Sequence, residues 1–470
     1  MGLSYKTILC TIAATVSAFA QAEGASPLSL NGSLLADTRV HVYGNQDFSW
    51  QEYRLDLSGA AALPGQSRFA ADLWLRYLGF PVVKHLDDLY SKDRLSPWNI
   101  DLREAYFDVY ALAGNHLDLR IGRQRFAWGT ADRINPTDNL NPLDLEDIWD
   151  FGRRQGADAV KATVYLGGIS IQAGVVPVFK PAVLPRSEMA QSLFSMNAKI
   201  IPGVTVSDTM DTVTMPLISP SQSTQAGLRA TAKLFDWDLS ASYAYVRDDL
   251  PVARTVTITA LDFSNFIGTI AADAKIRAEL YYPRLRIAGL DCAGAIGDVG
   301  VRAEGALFFP EKTDMTIALS DSLARGAIGM FVVQSGMLPA PAAVLDDPYF
   351  KFVVGADYTF KNNIYLNGQF VHGFLHERGD SLFDYLIIDA SWTGFDDRLI
   401  IKPANAAIEI HDWSDIGGSA AAAWLPEIGW RPVDNTEITL GAHVIEGSSG
   451  STFGKADDQD EVYVRMKYSF

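Results

Sequence analysis

The sequence predicts an all-β fold: a transmembrane antiparallel up-and-down β-barrel of about 18 strands, with 16 as the alternative. Three observations predict it. From residue 28 onward the chain runs in stretches of about ten residues that alternate apolar and polar side chains. Tight turns and long segments alternate as the connections between these stretches. The 470 residues are 48% hydrophobic and 20% charged, without a later apolar run of the roughly 18 residues a spanning helix requires.

The first residues read as a secretory signal. Lys6 supplies the positive charge, Thr7 to Ala18 the short apolar core, and Ala18-Phe19-Ala20 or Ala20-Gln21-Ala22 the cleavage pattern. Residues 1–22 are therefore expected to be removed, leaving 23–470 as a single barrel domain. Cys10 lies within the signal, so Cys292 is left alone and no intrachain disulfide forms.

Leu28 to Val42 and Phe48 to Leu63 form the first pair of runs. In the third, Phe69, Ala71, Leu73, Leu75 and Tyr77 face out, against Asp72, Trp74 and Arg76. Ala105, Phe107 and Val109 alternate with Glu104, Tyr106 and Asp108; further stripes follow near residues 117, 160, 226, 237, 299 and 350. Residues 64–67, 113–115, 167–168, 235–236, 361–363 and 432–435 have turn chemistry. The long connections fall near 79–99, 125–156, 178–222, 248–279, 310–349, 376–383, 411–417 and 447–460. Short turns on one side and long loops on the other suit a membrane barrel with both termini in the periplasm; a soluble sandwich gives no reason for it. The doubtful strand pair is 384–393 and 398–410, where Asp397 to Ile410 reads equally as a helix. Ser187 to Ala198 and Ser320 to Gln334 read as short amphipathic helices in the loops. Residues 178–222 and 248–279 otherwise carry no pattern.

A barrel this wide leaves an aqueous lumen. Its expected lining is Arg54, Arg76, Arg120, Arg229, Lys233, Arg284, Arg286 and Arg302, set against Asp72, Asp108, Glu304 and Asp357. Such a mixture is either a selectivity field or a solvated wall. The net charge of −17 argues against nucleic acid as a partner.

The most distinctive stretch runs from Gly122 through Trp128 to Arg154. Trp128 is expected where the strand leaves the membrane. Two Asn-Pro-x-Asp turns, at Asn135 and Asn141, then fold a loop carrying Asp138, Asp144, Glu146, Asp147 and Asp150, followed by Arg153 and Arg154. The loop reads as a constriction folded into the lumen or as an external loop braced by its own salt bridges. Calcium held by several of its carboxylates is a further reading, although no spacing matches a calcium loop; no other metal or cofactor is expected.

At this stretch the chain resembles an outer-membrane family catalogued as a domain of unknown function, akin to alginate-export-type and other porin-like Gram-negative barrels. The resemblance rests on the Gly122-Arg123-Gln124, Trp128-Gly129 and Ile134-Asn135-Pro136 series, and on Ile364 to Phe374, Pro426 to Asp434 and Val462 to Phe470. It implies a porin-like barrel with no settled substrate. The last stripe resembles the closing strand of outer-membrane barrels, in which Tyr468 and Phe470 form the signal read by the barrel assembly machinery.

The function expected is passive diffusion of small solutes or ions through the outer membrane, among lipid and lipopolysaccharide. A transporter of hydrophobic ligands and a loop-based adhesin or receptor are the alternatives. An enzyme is not expected. There is no Gly-x-Ser-x-Gly elbow, and His372 and His376 share a strand face about 13 Å apart, too far for one metal. Asp384 with Asp389, or His411 with Asp412 and Asp415, are groups that could pair as in barrel proteases, but acidic loops give such pairings by chance.

Overall fold

The computed structural model describes residues 28–83, 85–150, 152–185, 204–262, 272–325, 342–344, 346–457 and 459–470. Twenty hydrogen-bonded segments close into one antiparallel wall. Two of the wall's strands are each broken once, so it has 18. These are β1 Ser29–His41, β2 Phe48–Leu63, β3 Ser67–Leu78, β4 Trp98–Ala111, β5 Leu117–Gln124, β6 Ala157–Leu166, β7 Ile169–Val176, β8 Gln225–Leu234 and β9 Trp237–Arg247. Then come β10 Arg284–Ile296, β11 Val299–Pro310, β12 Tyr349–Thr359, β13 Ile364–His372 and β14 Asp384–Gly394. β15 is Leu399–Lys402 with Ala406–Ile410, and β16 is Ala420–Trp424 with Glu427–Trp430; β17 Thr436–Gly447 and β18 Glu461–Ser469 complete the wall.

Each strand pairs with the next, and β18 returns to β1 in register from Ser33↔Ser469 to His41↔Glu461. Closure leaves no ladder edge, which is what a hydrocarbon surrounding demands of a β-structure. The breaks have a shared cause. Pro403 and Pro426 cannot donate to a ladder, and they fall at one level of adjacent strands. There Leu425 N–H donates to the Asn405 carbonyl at 2.7 Å and Trp424 Nε1 to the Pro403 carbonyl at 2.8 Å. Residues 399–410 are thus strand; the helical reading of Asp397 to Ile410 is corrected, since Pro403 would interrupt a helix as well.

The outer surface is apolar along its middle, with Leu34, Ile121, Leu228, Leu290, Leu440 and Val464 all exposed. Aromatic pairs border it. At the short-turn end lie Phe69 with Phe107 at 4.9 Å, Tyr358 with Phe360 at 4.7 Å and Tyr468 with Phe470 at 6.3 Å. At the long-loop end lie Tyr53, Tyr77 and Trp98, and Phe350 with Phe352. A continuous apolar belt between aromatic rings suits lipid and not water.

Beyond the wall, the long connections after β7, β9 and β11 build a second, mixed sheet. Its order is Thr316–Leu319, Val252–Asp262, Ala272–Tyr281, Val204–Thr214, with parallel pairing at both outer steps. Ala253, Val256, Ile258, Ala274, Ile276 and Ile317 form its core. Segments that carry no pattern of their own therefore fold by pairing with one another across long sequence distances. The helix read at Ser187 to Ala198 lies outside the described residues. Of that read at Ser320 to Gln334, the described part holds one short helical turn, Asp321–Ala324.

The closing seam makes a prediction. Phe470 and Gly32 exchange backbone hydrogen bonds of 2.9 Å in both directions, and a Cβ on Gly32 would come within 2.6 Å of the Phe470 ring. Gly32→Val should push that ring off the seam and, like Phe470→Asp, lower the fraction of barrel that migrates as folded on unheated gels. The conductance of the molecules that do fold should be unchanged.

Candidate functional site

The segment between β5 and β6 folds into the lumen rather than outward. Phe126, Trp128 and Leu140 pack against the inner wall with Ala157, Val176, Val246, Ile287 and Phe308. Ile134 joins a second cluster with Val353, Val371 and Tyr385. Each such burial contributes roughly 1.5–3 kcal/mol. The wall is carved to receive these side chains. A Cβ on Gly227 would stand 2.6 Å from the Trp128 ring, and one on Gly174 2.5 Å from the Phe126 ring, so these inward strand positions require glycine. Trp128 is therefore buried inside the barrel, where its Nε1 donates to Gln172 at 3.2 Å. Its expected place at the membrane boundary is corrected: its apolar contacts are with the loop's own seat.

The two Asn-Pro turns brace the inserted segment. Asn141 donates to the Phe126 carbonyl at 2.7 Å and to Asp138 at 2.6 Å, and its Oδ1 accepts the Phe126 N–H at 3.0 Å. Glu304 on β11 gathers the rest. Its carboxylate accepts the N–H groups of Thr130 (2.9 Å), Ala131 (3.1 Å) and Thr137 (2.8 Å), the Thr137 hydroxyl (2.8 Å) and Asn135 Nδ2 (3.2 Å). A buried carboxylate is tolerable only when its lone pairs are filled, and here the loop fills them. Glu304 lines the seat of the loop, not the open lumen.

The loop's carboxylates meet arginines of β1, β3 and β4 and the loop's own Arg153. Asp144 accepts from Arg103 and Arg153, each at 2.8 Å; Glu146 from Arg76 at 2.6 Å; Asp147 from Arg39 at 2.9 and 2.6 Å. Arg154 lies 3.9 Å from Asp138, and Arg153 3.9 Å from Asp150. Desolvation opposes the charge on Asp147, yet Arg39, by its charge and hydrogen bonds, holds that carboxyl well below the usual range. Desolvation pushes Asp138 up to about 6 against the pull of Arg154 and Asn141. Most of these loop carboxylate oxygens are engaged by guanidinium groups, while Asp150 keeps only a distant one.

The remaining predicted lining residues divide. Arg54 and Arg76 stand over Trp74 at 4.1 and 5.8 Å. Arg120 binds Asp108 at 2.6 Å, Arg229 binds Asp291 at 3.0 Å, and Arg302 is paired with both Asp132 and Asp357. Asp72 faces inward opposite Glu104, and Lys233 opposite Asp238. Arg284 and Arg286 are corrected: both face outward near the long-loop rim. Arg286 lies opposite Tyr245 and Phe309, while Leu285 and Ile287 turn inward. The register inverts the expected polarity because the lumen at that level is filled by the loop's apolar side chains.

The histidine groups hold no shared centre. His372 pairs outward with Asp384 at 2.7 Å, and Glu377 caps the Phe374 and Phe383 amides at 2.8 and 3.0 Å. His411 binds Glu409 and stacks on Phe383. Trp74 and Asn141 are placed by the sequence, on the inward face and in the second Asn-Pro turn, but without these contacts; Asp249 and Asp291 are not among the residues it singles out. The one sequence signal for the loop's seat was glycine at the inward phase of β7, β8 and β10.

Filling one side leaves a cavity on the other. A cavity of about 550 Å³ runs between the loop (Asp132, Arg133, Asp147, Asp150) and strands β1, β2 and β15–β18. A vestibule of about 270 Å³ adjoins it toward the long loops, sharing Arg39, Asp147 and Trp149.

Fold and site together define a transmembrane β-barrel with an internal loop beside a polar cavity. Residues 35–331 match the family model described as "Protein of unknown function (DUF1302)", and the chain belongs to that family. No curated protein matches it in sequence. Among solved structures it is similar to the outer membrane protein opdK from Pseudomonas aeruginosa, at 11% identity and a TM-score of 0.48, over 94% of this chain and 98% of that one. It is similar to Pseudomonas aeruginosa OccK9 (OpdG), at 11% identity and a TM-score of 0.48, over 95% and 98%. The Salmonella typhi OmpF structure aligns at 8% identity and a TM-score of 0.38, over 94% and 97%.

Two predictions concern the loop. Glu304→Ala strips five donors of their acceptor and should speed limited proteolysis between residues 130 and 140, with a stability loss of about 3 kcal/mol or more. The second concerns pH. Asp249, which accepts the Leu143 N–H at 3.0 Å, is pushed up to about 7 by desolvation against the pull of Arg154. Its folded value lies above its unfolded one, so its contribution is complete below about pH 4 and is lost as pH rises through about 7. Cleavage within residues 139–150 should be slower at about pH 5 than at about pH 8. Asp249→Asn should remove most of that difference.

Proposed function

We propose that the chain is a porin-like channel of the outer membrane through which small solutes or ions diffuse passively, and that the loop at residues 125–156 sets its narrowest section. The observation that carries this reading is the polar passage of about 550 Å³ left between the inserted loop and one half of the wall. A barrel built to be closed would have no reason to hold a charged, water-compatible lane beside a tightly seated loop. Glycolipid and phospholipid of the outer membrane are the partners that suit the apolar belt and its aromatic borders. The assembly machinery is the partner proposed for Tyr468 and Phe470. No reaction is assigned.

Purified protein in planar bilayers should show ohmic conductance. Deleting residues 130–150 should raise it, because the loop's charged face forms one wall of the passage. Equal conductance with and without the segment would return the loop to a bracing role. A barrel that conducts nothing and binds fatty acid or hydrocarbon would replace the channel by a transporter of hydrophobic ligands.

A further inference from the structure

The passage is lined by as many carboxylates as cations, so its preference depends on which charges are already neutralised. Asp37 is held by Arg39 at 3.0 Å and Arg465 at 3.1 Å, Glu52 by Arg76 at 2.6 Å and Asp147 by Arg39 at 2.6 Å. Glu427 is held by Lys402 at 2.8 Å and Glu437 by Arg431 at 2.9 Å, and Asp132 is taken by Arg302. Asp150 is the one lining carboxylate whose nearest cation, Arg153, is as far as 3.9 Å.

Three cations are left loose. Arg133 reaches Asp389 only at 3.8 Å. Arg54 has Glu52 at 3.5 Å, an acid already engaged by Arg76, and its buried Nε has no acceptor. Lys467 has no ion pair or hydrogen bond among the described residues. Its cross-strand neighbour Glu437 turns to Arg431 instead.

Two of the three share one level. Arg54 on β2 and Lys467 on β18 are both the direct partners of Leu35 on β1, so they project into the lumen on either side of it. The Arg54 guanidinium is held over the Trp74 ring at 4.1 Å and cannot swing away freely. Solutes arriving from the long loops first cross the vestibule lined by Trp50, Phe80, Ile148 and Trp149.

We propose that Arg54 and Lys467 form an anion-binding station in the passage, and that it takes small carboxylates with an apolar body. The carboxylate meets the two cations, and the body lies against Leu35. The station rests on the channel reading and adds to it a class of solute.

Reversal potentials in a KCl gradient, and block of chloride current by added hexanoate or acetate, test it on the full-length protein. Wild type should prefer chloride, since unpaired cations in a narrow cleft raise the local anion concentration on the order of tenfold. Hexanoate should block at lower concentration than acetate. Lys467→Gln removes an exposed side chain with no partner, so folding is not at stake; it should lower the chloride preference and weaken hexanoate block. Arg54→Gln should act the same way, and Arg54→Lys should retain most of both. A potassium-selective wild type overturns the station, as does a Lys467→Gln channel that matches wild type in both readouts. Equal block by acetate and hexanoate overturns the apolar body. Absence of conductance in every form sinks the channel reading itself, and that result is distinct from a conducting channel of the wrong preference.

Discussion

The interior of this barrel depends on one carboxylate. An irregular segment inside a strand-built wall brings amide groups that no ladder can satisfy, and a buried amide without an acceptor costs as much as a lost hydrogen bond. Glu304 accepts three such amides, a hydroxyl and an amide side chain from residues 130–137. Without that acceptor the loop would need water in the space that Ile134 and Thr137 occupy. The acid is equally dependent on the loop, since nothing else fills its lone pairs. Loop and wall therefore specify each other, and the Asn135-Pro136 turn presents its donors to one point.

From that fixed point the lumen divides. On the side of β6–β12 the inner wall carries a patch of small and apolar side chains, and the loop's Phe126, Trp128 and Leu140 convert it into a packed core. On the side of β1–β4 it is arginine-rich, and the loop turns Asp144, Glu146 and Asp147 toward it. The loop is thus amphipathic, with one face seated like a core element and the other held by charge-assisted bonds. This division explains why the largest space left beside the loop among the described residues is a side cavity, bounded mostly by paired charges.

The architecture was legible because strands announce themselves by period two and membrane barrels by the alternation of short and long connections. Where the sequence assignment of individual side chains failed, the failures share a cause. Arg284 and Arg286 were assigned inward, and Trp128 to the membrane boundary, by the rule that apolar means lipid-facing. That rule holds only where the lumen is wet. Where the loop fills it, Leu285 and Ile287 point in and the arginines point out. Glycines 174 and 227 at inward phase carried that information, since a glycine in a strand marks close approach. The outer mixed sheet was illegible for a different reason. Its parallel steps join segments far apart in sequence, and no local periodicity records such pairing.

The charge balance shows why composition misleads about a passage. The chain is acidic by 17 charges, which taken alone suggests a route for cations. Yet a solute in the passage is affected mainly by charges within a Debye length, about 8 Å at physiological salt, and only by those not already neutralised at contact distance. Acid beyond that range acts on it weakly. Inside, the acids have been recruited to hold wall and loop together, each pair locking a strand to its neighbour or to the inserted segment. What remains to act on a passing solute is the remainder of that structural pairing. Because assembly consumes carboxylates faster than guanidinium and ammonium groups here, an acidic protein can present a passage whose uncommitted charge is positive.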